Sequence, residues 1–191
     1  LMIAQGAAAI VFEVTTAEEF QAALSVASSN NANDEIRLEG GVYFGNFQVS
    51  LTDPSELVIS GNPNDLSSVK LDGQGRAFVL LMDATPGLRA MVRVENLVIR
   101  NGQSGSFGGC LSFQSDRSSL KLENISFQEC GARTEGASAF IKSESLSIRN
   151  MEVFSEKSGQ SGLYIRAMEA SVTNLNIESK FMKCLKVKIQ L

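Results

Sequence analysis

V92-R-V-E-N-L-V-I99, L120-K-L-E-N-I-S-F127, L146-S-I-R-N-M-E-V153 and A170-S-V-T-N-L-N-I177 are four copies of one phrase. Each reads apolar, polar, apolar, polar, Asn, apolar, polar, apolar. Alternation with a period of two marks a β-strand with one buried face. The asparagines, Asn96, Asn124, Asn150 and Asn174, recur at a spacing that shortens slightly from copy to copy. The period, roughly 24–28 residues, marks a stacked architecture, in which each unit buries its apolar face against the next. A second phrase keeps a fixed phase to the first: G109-C-L-S-F113, A137-S-A-F-I141 and S161-G-L-Y-I165. Each unit therefore holds two or three short strands separated by turns.

The copies predict columns of like residues about 4.8 Å apart, the spacing of paired strands. Val94, Leu122, Ile148 and Val172 form one expected inward column, and Ile99, Phe127, Val153 and Ile177 another. Arg93, Lys121, Ser147 and Ser171 face outward. Asparagine tolerates the left-handed backbone of a sharp bend between strands. Its amide can also donate to the next asparagine in the stack, which predicts a structural ladder along the four positions.

The rest of the chain fits the same scheme. Residues 11–15 read as a strand, and Thr16 opens a helix over 16–29. Thr16 and Glu19 have capping-box spacing, and Phe20, Ala23, Leu24 and Ala27 form one apolar stripe. From residue 36 on, alternation predicts strands alone, at 46–51, 56–60, 68–72, 77–82, 91–100, 110–114, 120–128, 138–142, 146–153, 162–166 and 170–178. The turns between them include D72-G-Q-G75, G102-Q-S-G105 and G159-Q-S-G162. No helical pattern lies between the strands, which disfavours a βαβ sheet.

Composition narrows function mainly by exclusion. The chain has 191 residues, 43% apolar, with a net charge of −4. That balance lacks the basic footprint of a nucleic-acid binder, so no nucleic-acid partner is expected. Histidine is absent, which removes histidine-based triads, metal ligation by imidazole and histidine pH switching. No apolar run is long enough for a transmembrane helix, so no membrane insertion is expected. Cys110, Cys130 and Cys184 are too few for a disulfide framework or a zinc site. They read as small buried apolar residues, with a Cys110–Cys130 bridge geometrically conceivable. The N-terminal stretch L1-M-I-A-Q-G-A-A-A-I10 reads either as the remnant of an export signal or as an apolar segment before a single domain over 11–191.

The stretch V14-T-T-A-E-E-F-Q-A-A-L24, the segment G40-G-V-Y-F-G-N-F47, L57-V-I-S-G61 and V92-R-V-E-N-L-V-I-R-N-G102 together resemble the right-handed parallel β-helix proteins of the pectate-lyase-like superfamily. G108-G-C-L111 and F127-Q-E-C130 are also similar to polymorphic-outer-membrane-type repeats of bacterial surface proteins. The resemblance implies an all-β, right-handed solenoid with an N-terminal capping helix. It leaves activity open, since the superfamily includes lyases, glycosidases, adhesins and passenger domains.

The outward columns contain one candidate binding strip. Phe140 and Tyr164 are aligned, with Lys142 and Arg166 two residues on, Gln114 in the same column, and Ser112 in register with Phe140. Aromatic faces beside cations suit an acidic sugar chain or a protein surface. No acid cluster for a metal and no paired aspartates for glycoside hydrolysis stand out, so no catalytic set, metal or cofactor is expected. The expected function is a secreted or cell-surface module for adhesion or recognition. The alternative implied by the resemblance is a polysaccharide lyase, with Lys142 or Arg166 as base and calcium as its cofactor. L185-K-V-K-I-Q-L191 reads as a further strand with Leu185, Val187, Ile189 and Leu191 inward and Lys180, Lys183, Lys186 and Lys188 as gatekeepers. The end of the stack therefore looks uncapped, and self-association through this coil, as in a structural assembly subunit, is a second alternative.

Overall fold

The structure, a computed structural model, describes residues 9–155, 162–179 and 185–189, the last five by backbone alone. They form a parallel β-solenoid of about six turns with one helix near the N-terminus. In chain order the elements are β1 (Ile10–Val14), α1 (Ala17–Ala27), β2 (Asp34–Leu38), β3 (Gly41–Phe44), β4 (Phe47–Leu51), β5 (Glu56–Ser60), β6 (Val69–Asp72), β7 (Leu80–Ala84) and β8 (Met91–Arg100). Then follow β9 (Gln103–Ser104), β10 (Leu111–Gln114), β11 (Ser119–Gln128), β12 (Gly131–Ala132), β13 (Ala139–Ser155), β14 (Leu163–Ser179) and β15 (Leu185–Ile189). A short 3-10 turn, Leu66–Ser68, precedes β6.

Every strand pairing among the described residues is parallel, and apart from the short β9–β12 pair the pairings fall on three faces. Face one stacks β1, β2, β5 and the first halves of β8 and β11 onto 145–149 of β13 and 169–173 of β14. Face two stacks β3 and β6 onto the second halves of β8, β11, β13 and β14. Face three stacks β4, β7 and β10 onto 139–142 of β13, 163–167 of β14 and then β15.

The asparagines make the corner between faces one and two. Asn96, Asn124, Asn150 and Asn174 have φ of 60°, 52°, 53° and 53°, the left-handed region that asparagine adopts at low cost. Nδ2 of Asn124 donates to Oδ1 of Asn96 at 2.8 Å. The Asn150–Asn124 and Asn174–Asn150 bonds follow at 2.9 Å each. The ladder is thus present over all four positions. One coil earlier the corner is Gly61, where a Cβ would run into the carbonyl oxygen of Asn96. A side chain cannot continue the ladder there.

Val94, Leu122 and Ile148 are buried as their column requires, and so are Ile99, Phe127 and Val153. Val172 is 47% exposed, contrary to the expected inward column, and Ile177 is half-buried. Beyond Ala167, among the described residues, no strand pairs with the far side of β14, so the last members of each column lack a covering coil.

Predicted strands 138–142 and 146–153 are one strand, β13, and 162–166 and 170–178 are one strand, β14. The register explains both fusions. Leu111 pairs with Ala139 and Ser119 pairs with Ser145, so positions 112–118 of one coil answer to positions 140–144 of the next. The corner Ser115–Ser118 has lost two residues in the next coil, and the backbone runs straight through. Leu185–Ile189 forms the expected further strand. Its side-chain directions, together with Leu191, Lys180, Lys183, Cys184, most of G159-Q-S-G162 and the first eight residues, lie outside the described residues.

Helix α1 begins as the capping box predicts. Thr16 Oγ1 accepts from the Glu19 N–H at 3.2 Å, and Glu19 Oε2 accepts from the Thr16 N–H at 3.1 Å. Phe20, Ala23, Leu24 and Ala27 are buried, and Phe20 packs on Phe47 with ring centroids 4.6 Å apart. The helix covers the core of the first coil where a strand would otherwise be needed.

Cys110 and Cys130 are joined by a disulfide, with Cα atoms 5.5 Å apart, which corrects the reading of them as buried thiols. The bond ties neighbouring coils across the loops between faces two and three. By chain entropy a loop of this size is worth about 3 kcal/mol.

One buried group works against stability. Asp34 is 2% exposed, and its Oδ2 has no hydrogen-bond partner. Burial pushes its carboxyl above the ordinary value and the charge of Asp53 adds to this, while the Asn30 amide opposes them. Folding therefore favours the neutral acid relative to the unfolded chain. The cost is absent below the unfolded pKa, near 3.9, and complete above the raised folded value. Asp34→Asn should accordingly raise the thermal midpoint at pH 7, with the gain shrinking toward pH 3. An equal gain at both pH values in paired melting curves would contradict the assignment.

Candidate functional site

The strip identified in the sequence lies on face three, with one important difference. Ser112, Phe140 and Tyr164 are register partners, as are Gln114, Lys142 and Arg166. Phe140 alternates with Ala139 and Ile141, which belong to the main core, so its ring stands on the outer side of the sheet. It is nevertheless 2% exposed, and Ser112 is also 2% exposed. Neither is the open ligand surface that alternation predicts.

Phe107 is the reason for Phe140. Its ring stacks on Phe140 with centroids 4.5 Å apart and planes inclined at 29°. On the other side Tyr164 stacks on Phe140 at 4.7 Å and 12°. Phe140 is thus the middle of a three-ring stack and belongs to a small apolar cluster outside the solenoid core. Phe107 is 39% exposed and Tyr164 half-buried, with position 186 of β15 in register on the far side of Tyr164. The loop that carries Phe107 turns at Gly108, whose φ of 60° favours glycine. Gly136, at the same position of the next coil, repeats this with φ of 64°. Sequence reasoning missed Phe107 because it sits in a loop, where strand alternation carries no information. The paired glycines were the available signal.

The cationic half of the strip is open. Lys142 Nζ lies 5.2 Å from the Phe140 ring centroid, within cation–π range. Lys142 and Arg166 line a hollow of about 480 Å³ together with Ser115, Asp116, Ser143 and Met168. Ser143 Oγ is buried without a hydrogen-bond partner, and Met168 is 58% exposed. Gln114 is drawn aside, its Nε2 donating to Ser112 Oγ at 3.4 Å. The backbone register then pairs Arg166 with Lys188. Three basic positions therefore follow one another in one column.

Face one arranges its charges differently. Arg37 pairs with Glu13 and Glu35, Arg93 with Glu56 and Glu95, and Lys121 and Arg149 with Glu123. Opposite signs compensate there within a strand and between neighbouring strands, even though Arg93 and Lys121 are themselves register partners. Asp72, buried on face two, accepts from Arg100 Nε at 2.8 Å and from the Asn101 amide, which pins the corner after β8.

Among the described residues, no group of three His, Cys, Asp or Glu side chains could hold a metal ion, and no helix is long and apolar enough to cross a membrane. G102-Q-S-G105 is turn and short-strand structure, with Gln103–Ser104 paired to Gly131–Ala132. No family model, no curated protein and no solved structure matches the chain.

The stack makes a mutational contrast. Phe140→Ala should cost about 3–5 kcal/mol, as for a buried core ring, because it removes the middle of the cluster. Arg166→Ala should change stability by less than about 0.5 kcal/mol, as at ordinary surface positions. Urea unfolding of both variants measures the contrast, and similar effects would show that Phe140 is not a packing residue.

Proposed function

We propose that the chain is an exported recognition module. It engages an acidic glycan or a protein surface through the outer side of face three, without turnover. The observation that carries this reading is the aromatic stack of Phe140 and half-buried Tyr164 beside the register partners Lys142 and Arg166. The Cys110–Cys130 bond supports the exported location, since structural disulfides persist in oxidising compartments. Tyr164 offers the accessible part of its ring to a sugar or side chain, and Lys142 and Arg166 offer charged donors to carboxylates or sulfates. Membership of the pectate-lyase-like superfamily, with its right-handed coil, is part of the same proposal and rests on the motif resemblance.

Tyr164→Ala/Arg166→Ala should lower binding to acidic glycans on an array by about tenfold or more, with the circular dichroism spectrum unchanged. Raising the salt concentration should weaken wild-type binding as the charges are screened. Retained binding in the double variant would refute the strip as the site. Appearance of unsaturated, ultraviolet-absorbing products from acidic polysaccharide with calcium would replace recognition by the lyase alternative, with Lys142 or Arg166 as base.

The far side of β14 favours self-association as a second reading. Met168 and Val172 are exposed there, on backbone that no described strand pairs. Exposed strand edges recruit further strands. Light scattering should then show apparent mass rising with concentration. A constant mass over a hundredfold dilution series (about 1 to 100 μM, a range in which weak interfaces dissociate) would exclude it.

A further inference from the structure

The asparagine corner does more than turn the chain. It forms the floor of a groove of about 530 Å³ on the opposite edge of face one from the strip, at the junction with face two. One end is walled by Pro63 and Leu66, from the segment whose 3-10 turn packs on β8 and β11. Under that wall Asn96 is 8% exposed, while Asn150 and Asn174 farther along are exposed. Glu152 and Asn176, register partners two residues beyond the corner, line the same groove and are exposed.

A primary amide has two N–H donors and two acceptor lone pairs. Each interior rung of the ladder spends one donor and one lone pair on its neighbours. One donor and one acceptor therefore remain at each interior rung, and one donor and both lone pairs at Asn174, spaced about 4.8 Å along the axis. A ligand that matches them must donate and accept at each step, which is the property of a hydroxyl group. Glu152 adds a carboxylate acceptor, and among the described residues no Lys or Arg lines the groove. An anion would meet the Glu152 charge. An apolar ligand would leave the amides desolvated and unpaired, at the usual penalty. A pyranose residue in an extended chain advances by roughly one rung, and the volume lies within the range of ordinary ligand sites.

We propose that this groove binds a neutral, extended oligosaccharide lying along the solenoid axis, with hydroxyl groups on the free amide positions of Asn150 and Asn174 and on Glu152. The site is separate from the Tyr164 strip and opposite to it in charge preference. It does not depend on that strip being functional.

Isothermal titration of the full chain with neutral cello-, manno- and chito-oligosaccharides tests it. At least one series should bind with little dependence on salt. Glu152→Ala/Asn176→Ala lies outside the ladder and should weaken that binding about tenfold or more. Glu152→Gln, which keeps the shape and serves if the double variant misfolds, should weaken it less. Tyr164→Ala/Arg166→Ala should leave it unchanged, so failure of this site and failure of the strip are read separately. The proposal is overturned if none of the three series binds at millimolar concentration, if Glu152 and Asn176 are dispensable, or if binding follows Tyr164. Capture of an extended peptide in place of sugar would equally overturn it.

Discussion

The left-handed bend at the four ladder asparagines is the constraint on which the rest of the molecule depends. Side chains on a strand alternate between its two faces, so a slip of one residue would turn the whole core outward. In a solenoid that hazard recurs at every coil. The bend removes it locally, because the left-handed position admits asparagine or glycine far more readily than the residues on either side, such as Leu97, Ile125 and Thr173. Once Asn124 sits over Asn96, Leu122 must sit over Val94 and Phe127 over Ile99. The amide bond between rungs contributes only about 1 kcal/mol net. Its larger effect is to make the correct register the one in which no amide is left without a partner.

The same constraint explains what was legible in the sequence. Period, strand positions, helix cap and ladder are consequences of local residue chemistry repeated in phase, and each can be read from the order of residues. Features that depend on what lies across a coil were not. Phe140 has the sequence signature of an outward residue, but a loop residue with no fixed phase, Phe107, covers it. Val172 has the signature of an inward residue, but its column has no coil beyond it among the described residues. The two residues missing between Ala139 and Ser145, relative to Leu111–Ser119, are visible in the spacing, yet their effect, a straightened corner and one long strand, follows only from the pairing. Cys110 and Cys130 meet because a loop between faces two and three returns to the coil below, a path that strand alternation does not encode.

Charge does not simply alternate from coil to coil. On face one Arg93 stacks on Lys121 and Glu95 on Glu123, but acids and bases two residues apart or on neighbouring strands pair, and the pairs are exposed or partly exposed, worth about 0–1 kcal/mol each. Their effect is chiefly to make that surface electrically quiet. Face three departs from this pattern within the same coils. Ser50 and Asp83 hydrogen-bond in its early coils, and the column then turns basic at Lys142 and Arg166. In a chain with net charge −4 this concentration is not the average surface.

A stacked fold offers two routes to a binding surface, and this chain contains both. Where the repeat is kept, one side chain recurs at fixed spacing and yields a uniform array, as the ladder amides do. Such an array has reach and regularity but little chemical variety, so it suits a ligand that is itself a repeat. Where the repeat is broken, unlike groups come together. Phe107 enters from a loop, Met168 and Arg166 fall where the corner has been deleted, and Ser143 replaces a turn residue. That mixture suits a ligand with a distinct head group. The loss of two residues at one corner therefore changes more than a strand boundary. It opens the hollow beside Lys142 while leaving the asparagine bend, and with it the register, intact.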